Sequence, residues 1–532
     1  MSASAVEVAH SHQSGRAFEH LNDMLVKALR AHRDTVLLHA ADGECFTGAG
    51  IEGQITRFVA ALEKLGVGLG VPVALLAGNS VEVLFIQHAI SVLGGIFTPL
   101  HPMGAPPEFA HMLGEADVNI VIVSKAREAE IVKAAELSGR TPRIVTLGGG
   151  DRHDLVLLAA EESAASIELR PIDPEAICRI IFTGGTTGVP KASQASYRAM
   201  STMYGIELND WQWPKTIRHL LVAPLSHVGA VCFTPTIAQG GSLYVESGFD
   251  VVKVLSSIER NRITCMLMVP TMIGAILDHP RLKEFDVSSL ETIFYGASPI
   301  TPARLKAAIA HFGPIFFQFY GQAEAMTTVA IMRREEHDVS SDRRLASCGR
   351  PVSEAAVRLL DADGNEVPEG EAGELCVRGP LLMSGYLNKP EETAEALRGG
   401  WLHTGDVAVR DPDGFLRLVD RAKDMVITGG FNVYPRAVED VLEGHPAVAA
   451  ASVFGVPDDR WGEIVVAAVV LRDKGIDVSQ LIAYVRERKG PVQTPKRIEV
   501  LDRIPLTAVG KPDKKALRRM FSNSVHVKEN QQ

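Results

Sequence analysis

The segment Thr183-Gly184-Gly185-Thr186-Thr187-Gly188-Val189-Pro190-Lys191 packs glycines, threonines and a lysine into nine positions. Glycine lets a backbone bend tightly and come close to a ligand. Threonine hydroxyls and free N–H groups donate to phosphate oxygens, and Lys191 adds positive charge. The chemistry is that of a polyphosphate cradle. It is not a Walker loop, in which Gly-Lys-Ser/Thr runs straight into a helix. Here Val189-Pro190 separates Gly188 from Lys191, and a proline disfavours helical backbone just before it. The plain alternative is a surface turn rich in Gly and Thr. A second candidate is Phe319-Tyr320-Gly321-Gln322-Ala323-Glu324. A carboxylate beside a phosphate loop is a natural Mg²⁺ ligand, because Mg²⁺ takes oxygen ligands shared with substrate phosphates. Tyr320 offers a ring to stack on a base. In isolation the same residues read as a strand-end tyrosine and a solvated glutamate.

These residues need strands to hold them. The apolar run 176–182 reads as a buried strand leading into the first segment, and 315–320 as one leading into the second. Strands are also expected at 71–77, 95–100, 118–123, 143–147, 219–223, 265–269 and 292–295. Helices are expected at 18–32, 55–65, 80–92 (Ser80 as N-cap), 251–261, 271–277 and 301–312. This alternation implies an α/β fold with mainly parallel sheets. From 346 the texture changes to short strands and Gly/Asp turns, an antiparallel sheet or small β-barrel-like part. Beyond 420 a helix at 438–443, strands at 449–454 and 464–471, a helix at 478–488 and a basic helix from 514 form a small α+β domain.

A chain of 532 residues accommodates two or three domains. Its net charge of −10 argues against a general nucleic-acid binder. The six cysteines are scattered without a C-x-x-C pair, as in a reduced, cytoplasmic protein. Residues 1–15 lack an apolar signal core. The most apolar stretch, 71–99, is interrupted by Asn79, Glu82, Gln87 and His88, so no membrane span is expected.

The glycine-threonine segment resembles the phosphate loop of the adenylate-forming superfamily, which includes acyl-CoA synthetases, peptide-synthetase adenylation domains and luciferases. The departure is Ala192, where the family usually has glycine. Further stretches match in the family's order. Residues 320–324 resemble Tyr-Gly-x-Thr-Glu, with Ala323 in place of threonine. Trp401-Leu402-His403-Thr404-Gly405-Asp406 resembles its Thr-Gly-Asp turn. Asp420-Arg421-Ala422-Lys423-Asp424 with Gly429-Gly430 resembles its hinge region, with Asp420 where glycine is usual. Pro505 to Lys511 resembles its Pro-x-Thr-x-x-Gly-Lys.

The resemblance implies roles. Thr183, Gly184, Gly185, Thr186, Thr187, Gly188 and Lys191 would hold ATP phosphates. Gly296, Ala297, Gln318, Tyr320 and Gly321 would flank the nucleotide. Asp406 and Arg421 would hold ribose. Glu324 and Thr187 would bind Mg²⁺, and Lys511, with Glu324 and Thr183, would drive adenylation. Lys423, Gly429 and Gly430 would serve the hinge and CoA side. His227, Gly229, Phe319, Ala325 and Met326 would line the acyl site, in a mostly apolar setting. An aspartate that would hold an amino-acid substrate is absent from 224–232. The implied function is ATP-dependent conversion of a fatty, aryl or alicyclic acid to its CoA thioester through acyl-AMP. ATP, Mg²⁺ and CoA are the implied cofactor and co-substrates, and a homodimer stays open. The implied division is 1–419, a hinge at 420–424, and a mobile domain at 425–532 carrying Lys511. The alternatives are a stand-alone enzyme loading a carrier protein, a luciferase-like oxygenase, and a non-catalytic nucleotide binder.

Overall fold

The computed structural model describes residues 18–183, 190–421, 424–428, 431–458, 461–472, 475–507 and 512–522. Two large sheets dominate the N-terminal part. One has seven strands in the order Gly385–Tyr386, Lys191–Ser196, Ile177–Thr183, Ile96–Pro99, Pro72–Leu76, Ile120–Ser124, Arg143–Leu147. Its inner strands run parallel, while Lys191–Ser196 pairs antiparallel with both neighbours. The other has nine: Arg350–Pro351, Ala325–Met332, Phe316–Gln322, Thr292–Tyr295, Cys265–Met268, Arg218–Leu221, Ser242–Val245, Val36–His39, Cys45–Thr47. It too is parallel inside and antiparallel at both edges.

Burial explains the strand compositions. Pro72–Leu76 is Pro-Val-Ala-Leu-Leu with its last four residues buried, because helices cover both faces of a parallel sheet. Helix Val81–Val92 is buried on most sides and lies in one continuous core with strands of both large sheets. Ser80 occupies its N-cap position, yet the hydroxyl makes no capping hydrogen bond.

The region after 346 forms a four-stranded antiparallel sheet, Ala356–Leu360, Ala372–Arg378, Leu402–Arg410, Leu416–Arg421. Its end strands are not paired to each other, so of the two expected forms the open sheet is observed. A smaller C-terminal sheet follows, built from Phe431–Val433, Val426–Thr428, Gly462–Leu471, Val448–Asp458 and Arg497–Val500. Helices Pro435–Glu443 and Val478–Gln493 pack on it over a separate core of Val438, Leu442, Val453, Val465, Leu481 and Val485. Among the described residues, no helix is long and apolar enough to cross a membrane.

Candidate active site

Thr183 ends one strand and Lys191 begins the next, and the two are register partners across an antiparallel pair. The Thr183 hydroxyl donates to the Lys191 carbonyl at 3.4 Å. Thr183 and Lys191 thus end the two arms of an antiparallel strand pair; Gly184, Gly185, Thr186, Thr187 and Gly188 lie outside the described residues.

Glu324 sits in a two-residue turn with Ala323, between Phe316–Gln322 and Ala325–Met332. Its turn is tied to the Lys191 strand. Ser193 Oγ donates to the Ala323 carbonyl at 3.2 Å, and Met383 N–H to the Glu324 carbonyl at 2.9 Å. Tyr386, on a short strand pairing with Lys191–Ser196, donates its hydroxyl to Glu324 Oε1 at 3.0 Å. The Lys191 ammonium stands 4.9 Å from the Tyr386 ring centroid, a cation–π contact. Burial, then the Glu324 charge, raises the Tyr386 phenol and keeps it a donor. Glu324 is half-buried, and among the described residues Oε2 carries no hydrogen bond. A half-exposed carboxylate with one oxygen fixed and one free fits a hard cation such as Mg²⁺. Tyr386 was not anticipated. Its signal is the Gly385-Tyr386 pair, which by spacing alone reads as a loop.

The same hairpin carries Tyr320, whose hydroxyl donates to Asp406 Oδ2 at 2.7 Å. Asp406 is 5% exposed, on Leu402–Arg410, and is the register partner of Arg421. The Thr404-Gly405-Asp406 stretch thus lies within a strand, with the Asp406 carboxylate buried. Gly321 is required, since a Cβ there would fall 2.1 Å from the Thr327 carbonyl oxygen. Gly296 is required likewise, at 2.4 Å from the Phe319 oxygen. Ala297 follows with φ +64°, an uncommon left-handed conformation for a residue with a Cβ. It lies just past the carboxyl end of Thr292–Tyr295, the edge where open α/β sheets bind ligands. Gln318 is the register partner of Tyr295 and accepts its hydroxyl at 3.1 Å.

On the acyl side, His227 is half-buried and 2.9 Å from Ser226 Oγ, with the His101 ring edge-on at 4.7 Å. Burial, then His101 and Arg179, pushes its pKa down to about 3, so it is neutral at physiological pH. Arg179 donates to the Ser226 carbonyl at 2.8 Å, pinning that turn. Gly229 lies where a Cβ would meet the Ala223 oxygen at 2.2 Å. Phe319, Ala325 and Met326 are buried in one hydrophobic cluster, with Phe319 stacked on Trp211 at 5.0 Å. They are interior walls rather than exposed contacts. Lys423, Gly429, Gly430 and Lys511 lie outside the described residues.

Lys191, Tyr386, Glu324, Tyr320 and Asp406 therefore form a linked chain, with a phosphate-type hairpin at one end and a buried carboxylate at the other. Comparison with known sequences identifies the family. The AMP-binding enzyme family matches residues 25–387, and the AMP-binding enzyme C-terminal domain matches residues 437–511. The chain belongs to this adenylate-forming family of enzymes. It is 44% identical over 524 residues to a medium/long-chain-fatty-acid–CoA ligase of Mycobacterium tuberculosis, covering 95% of this chain and 91% of the relative. It is 38% identical over 483 residues to a feruloyl-CoA synthase of an Amycolatopsis species, covering 90% and 94%. Among solved structures it resembles the amide bond synthetase McbA of Marinactinospora thermotolerans, at 34% identity and TM-score 0.84, covering 93% and 99%.

Proposed function

We propose that the chain activates an apolar carboxylic acid with ATP and transfers the acyl group to the thiol of CoA. The observation that carries this reading is the pair of contacts on one hairpin: Glu324, with one oxygen unbonded among the described residues, meets Tyr386 beside the Lys191 ammonium, and Tyr320 meets the buried Asp406 carboxylate. In the first step a carboxylate oxygen of the acid attacks the α-phosphorus of ATP, forming acyl-AMP and releasing pyrophosphate. Residues 183–191 hold the phosphates, Asp406 and Arg421 the ribose, and Tyr320 the base. Glu324 and Thr187 are the ligands for Mg²⁺, which when bound offsets phosphate charge. Lys511 stabilises charge at the α-phosphate. In the second step the CoA sulfur attacks the acyl carbonyl and AMP leaves. Neutral His227 borders that path as a hydrogen-bonding group without charge.

The hinge belongs at 420–424, where the four-stranded sheet ends at Arg421 and the C-terminal sheet starts at Val426. The fatty-acid and feruloyl relatives favour an apolar acid, with a medium or long acyl chain tried first. The amide bond synthetase shows that this fold also serves an enzyme with another acceptor.

The test is product analysis by mass spectrometry. Enzyme, ATP and Mg²⁺ are incubated with fatty, aryl and alicyclic acids, alone, with CoA, with an amine, or with an acyl-carrier protein. Acyl-CoA formed only in the CoA arm is the expected result. Acyl-AMP that passes to the amine or the carrier and never to CoA would overturn the acceptor assignment.

A further inference from the structure

The strand pair carrying Asp406 is irregular at the site. Glu374 pairs with Val407 and Cys376 with His403, so one residue, Leu375, faces three: Thr404, Gly405 and Asp406. This is a β-bulge, a device that re-aims side chains beside active sites. Gly405 takes φ +70° there, the left-handed region that glycine enters without steric cost.

One carboxylate holds the bulge. Glu374 Oε1 accepts the Gly405 N–H at 3.0 Å. Glu374 Oε2 accepts His403 Nδ1–H at 2.7 Å and an Arg398 guanidinium N–H at 3.1 Å. Its partners thus include the residues one and three positions before Asp406. Two more bonds finish the loop: Thr404 Oγ1 donates to the Leu375 carbonyl at 2.6 Å and accepts the Asp406 N–H at 3.1 Å. The His403 side chain is 8% exposed, so the bond to Glu374 is shielded from water.

Glu374, Cys376 and His403 also place potential metal-ligand atoms within 4.8 Å of one another. The Arg398 guanidinium on the Glu374 carboxylate argues against a cation there, since it already supplies the positive charge.

We propose that Glu374 and His403 are positioning residues for Asp406: they lock the bulge so that the Asp406 carboxylate meets the ribose hydroxyls of ATP. This rests on the reading that Asp406 holds ribose. The test compares kcat/KM for ATP with that for 2′-deoxyATP and 3′-deoxyATP, measured by pyrophosphate release. Wild type is expected to prefer ATP by at least about tenfold, and Asp406→Ala to lose the preference. Glu374→Gln and His403→Leu are expected to lose most of it, chiefly through the KM for ATP. His403→Gln, which keeps a donor toward Glu374, is expected to retain it. Circular dichroism checks that each variant folds, and His403→Gln serves as the folded control. A purely structural role would lower ATP and deoxyATP turnover together and leave the ratio intact. Full preference in Glu374→Gln and His403→Leu, with the preference lost in Asp406→Ala, would overturn the positioning role alone. Preference retained in Asp406→Ala would overturn the ribose reading beneath it. Zinc added to wild type is expected to leave the ratio unchanged; a zinc-dependent ratio abolished by Cys376→Ser would overturn the inference in favour of a metal site.

Discussion

Two buried carboxylates, Asp406 and Glu207, are treated in opposite ways. Asp406 receives the Tyr320 hydroxyl and stands on a bulge whose polar groups are engaged by Glu374, Leu375 and Thr404. Glu207, on helix Tyr197–Asp210, is 0% exposed, and among the described residues neither of its carboxylate oxygens has a hydrogen-bond partner. Burial raises it far above the ordinary carboxylate range. Nearby, Trp213 donates to the Glu207 carbonyl and lies 5.8 Å from the ring of His219. His219 is also fully buried, has no partner for Nε2 among the described residues, and is pushed down to about 3 by burial. The contrast separates two uses of interior polarity. Hydrogen-bonded groups fix a geometry; unpartnered ones stay neutral and make stability depend on pH.

The largest expected effect is on the Asp406 side. Asp406→Ala is expected to lower kcat/KM for adenylation roughly 100-fold, ~2.7 kcal/mol, the loss of charge-assisted hydrogen bonds. Unchanged pyrophosphate release would erase the distinction between the two carboxylates. Next comes His219→Phe. Below 6.5, the ordinary value of an imidazole in water, the unfolded chain takes up a proton that native His219 refuses, so wild type loses stability as pH falls. The variant is expected to gain about 2 kcal/mol over wild type at pH 5 and little above pH 7. Denaturation midpoints across pH 4–8 would show it, and a pH-independent gap would count against the cause.

Glu207→Gln should behave in the opposite sense. Above 4.5, the ordinary value of a glutamate in water, the unfolded carboxyl releases its proton while the native one keeps it, so wild type loses stability as pH rises. The variant's advantage should be near zero at pH 4 and grow as pH rises toward 7, with turnover preserved. An advantage confined to acid would refute the assignment. The smallest effect is expected from Tyr386→Phe, which keeps the ring beneath Lys191 but removes the bond to Glu324. About a threefold rise in the Mg²⁺ concentration for half-maximal rate is expected. No shift in the Mg²⁺ titration would detach Tyr386 from the metal side.

The sequence made the strand framework legible wherever burial is two-sided. The expectation of a strand at 292–295 coincides with Thr292–Tyr295, and a helix at 251–261 with Val251–Asn261. Context-dependent helices were legible in part or not at all. Of Gly48–Lys64 only the part from 55 was expected: the helix begins with glycines that lower helix propensity, and Gly48 is there because a Cβ would fall 2.5 Å from the Leu29 carbonyl oxygen of the neighbouring helix. Pro106–Glu115, Glu128–Ser138 and Tyr197–Asp210 escaped notice altogether. Within the site, contiguous motifs were legible and cross-strand partners were not. Glu374 and Tyr386 act through register, which a linear reading does not contain.

The antiparallel strand pair that ends at Thr183 and Lys191 has an energetic consequence. Lys191–Ser196 continues as a strand, and helix Tyr197–Asp210 starts only after it. A loop that opens directly into a helix gains from the macrodipole at the helix N-terminus, where aligned peptides supply about half a positive charge. This loop has no such column of peptides at its exit. Its positive charge is the Lys191 ammonium, a side-chain group braced by an aromatic ring, so added salt should screen its attraction for phosphate more readily than it would a field built into the backbone.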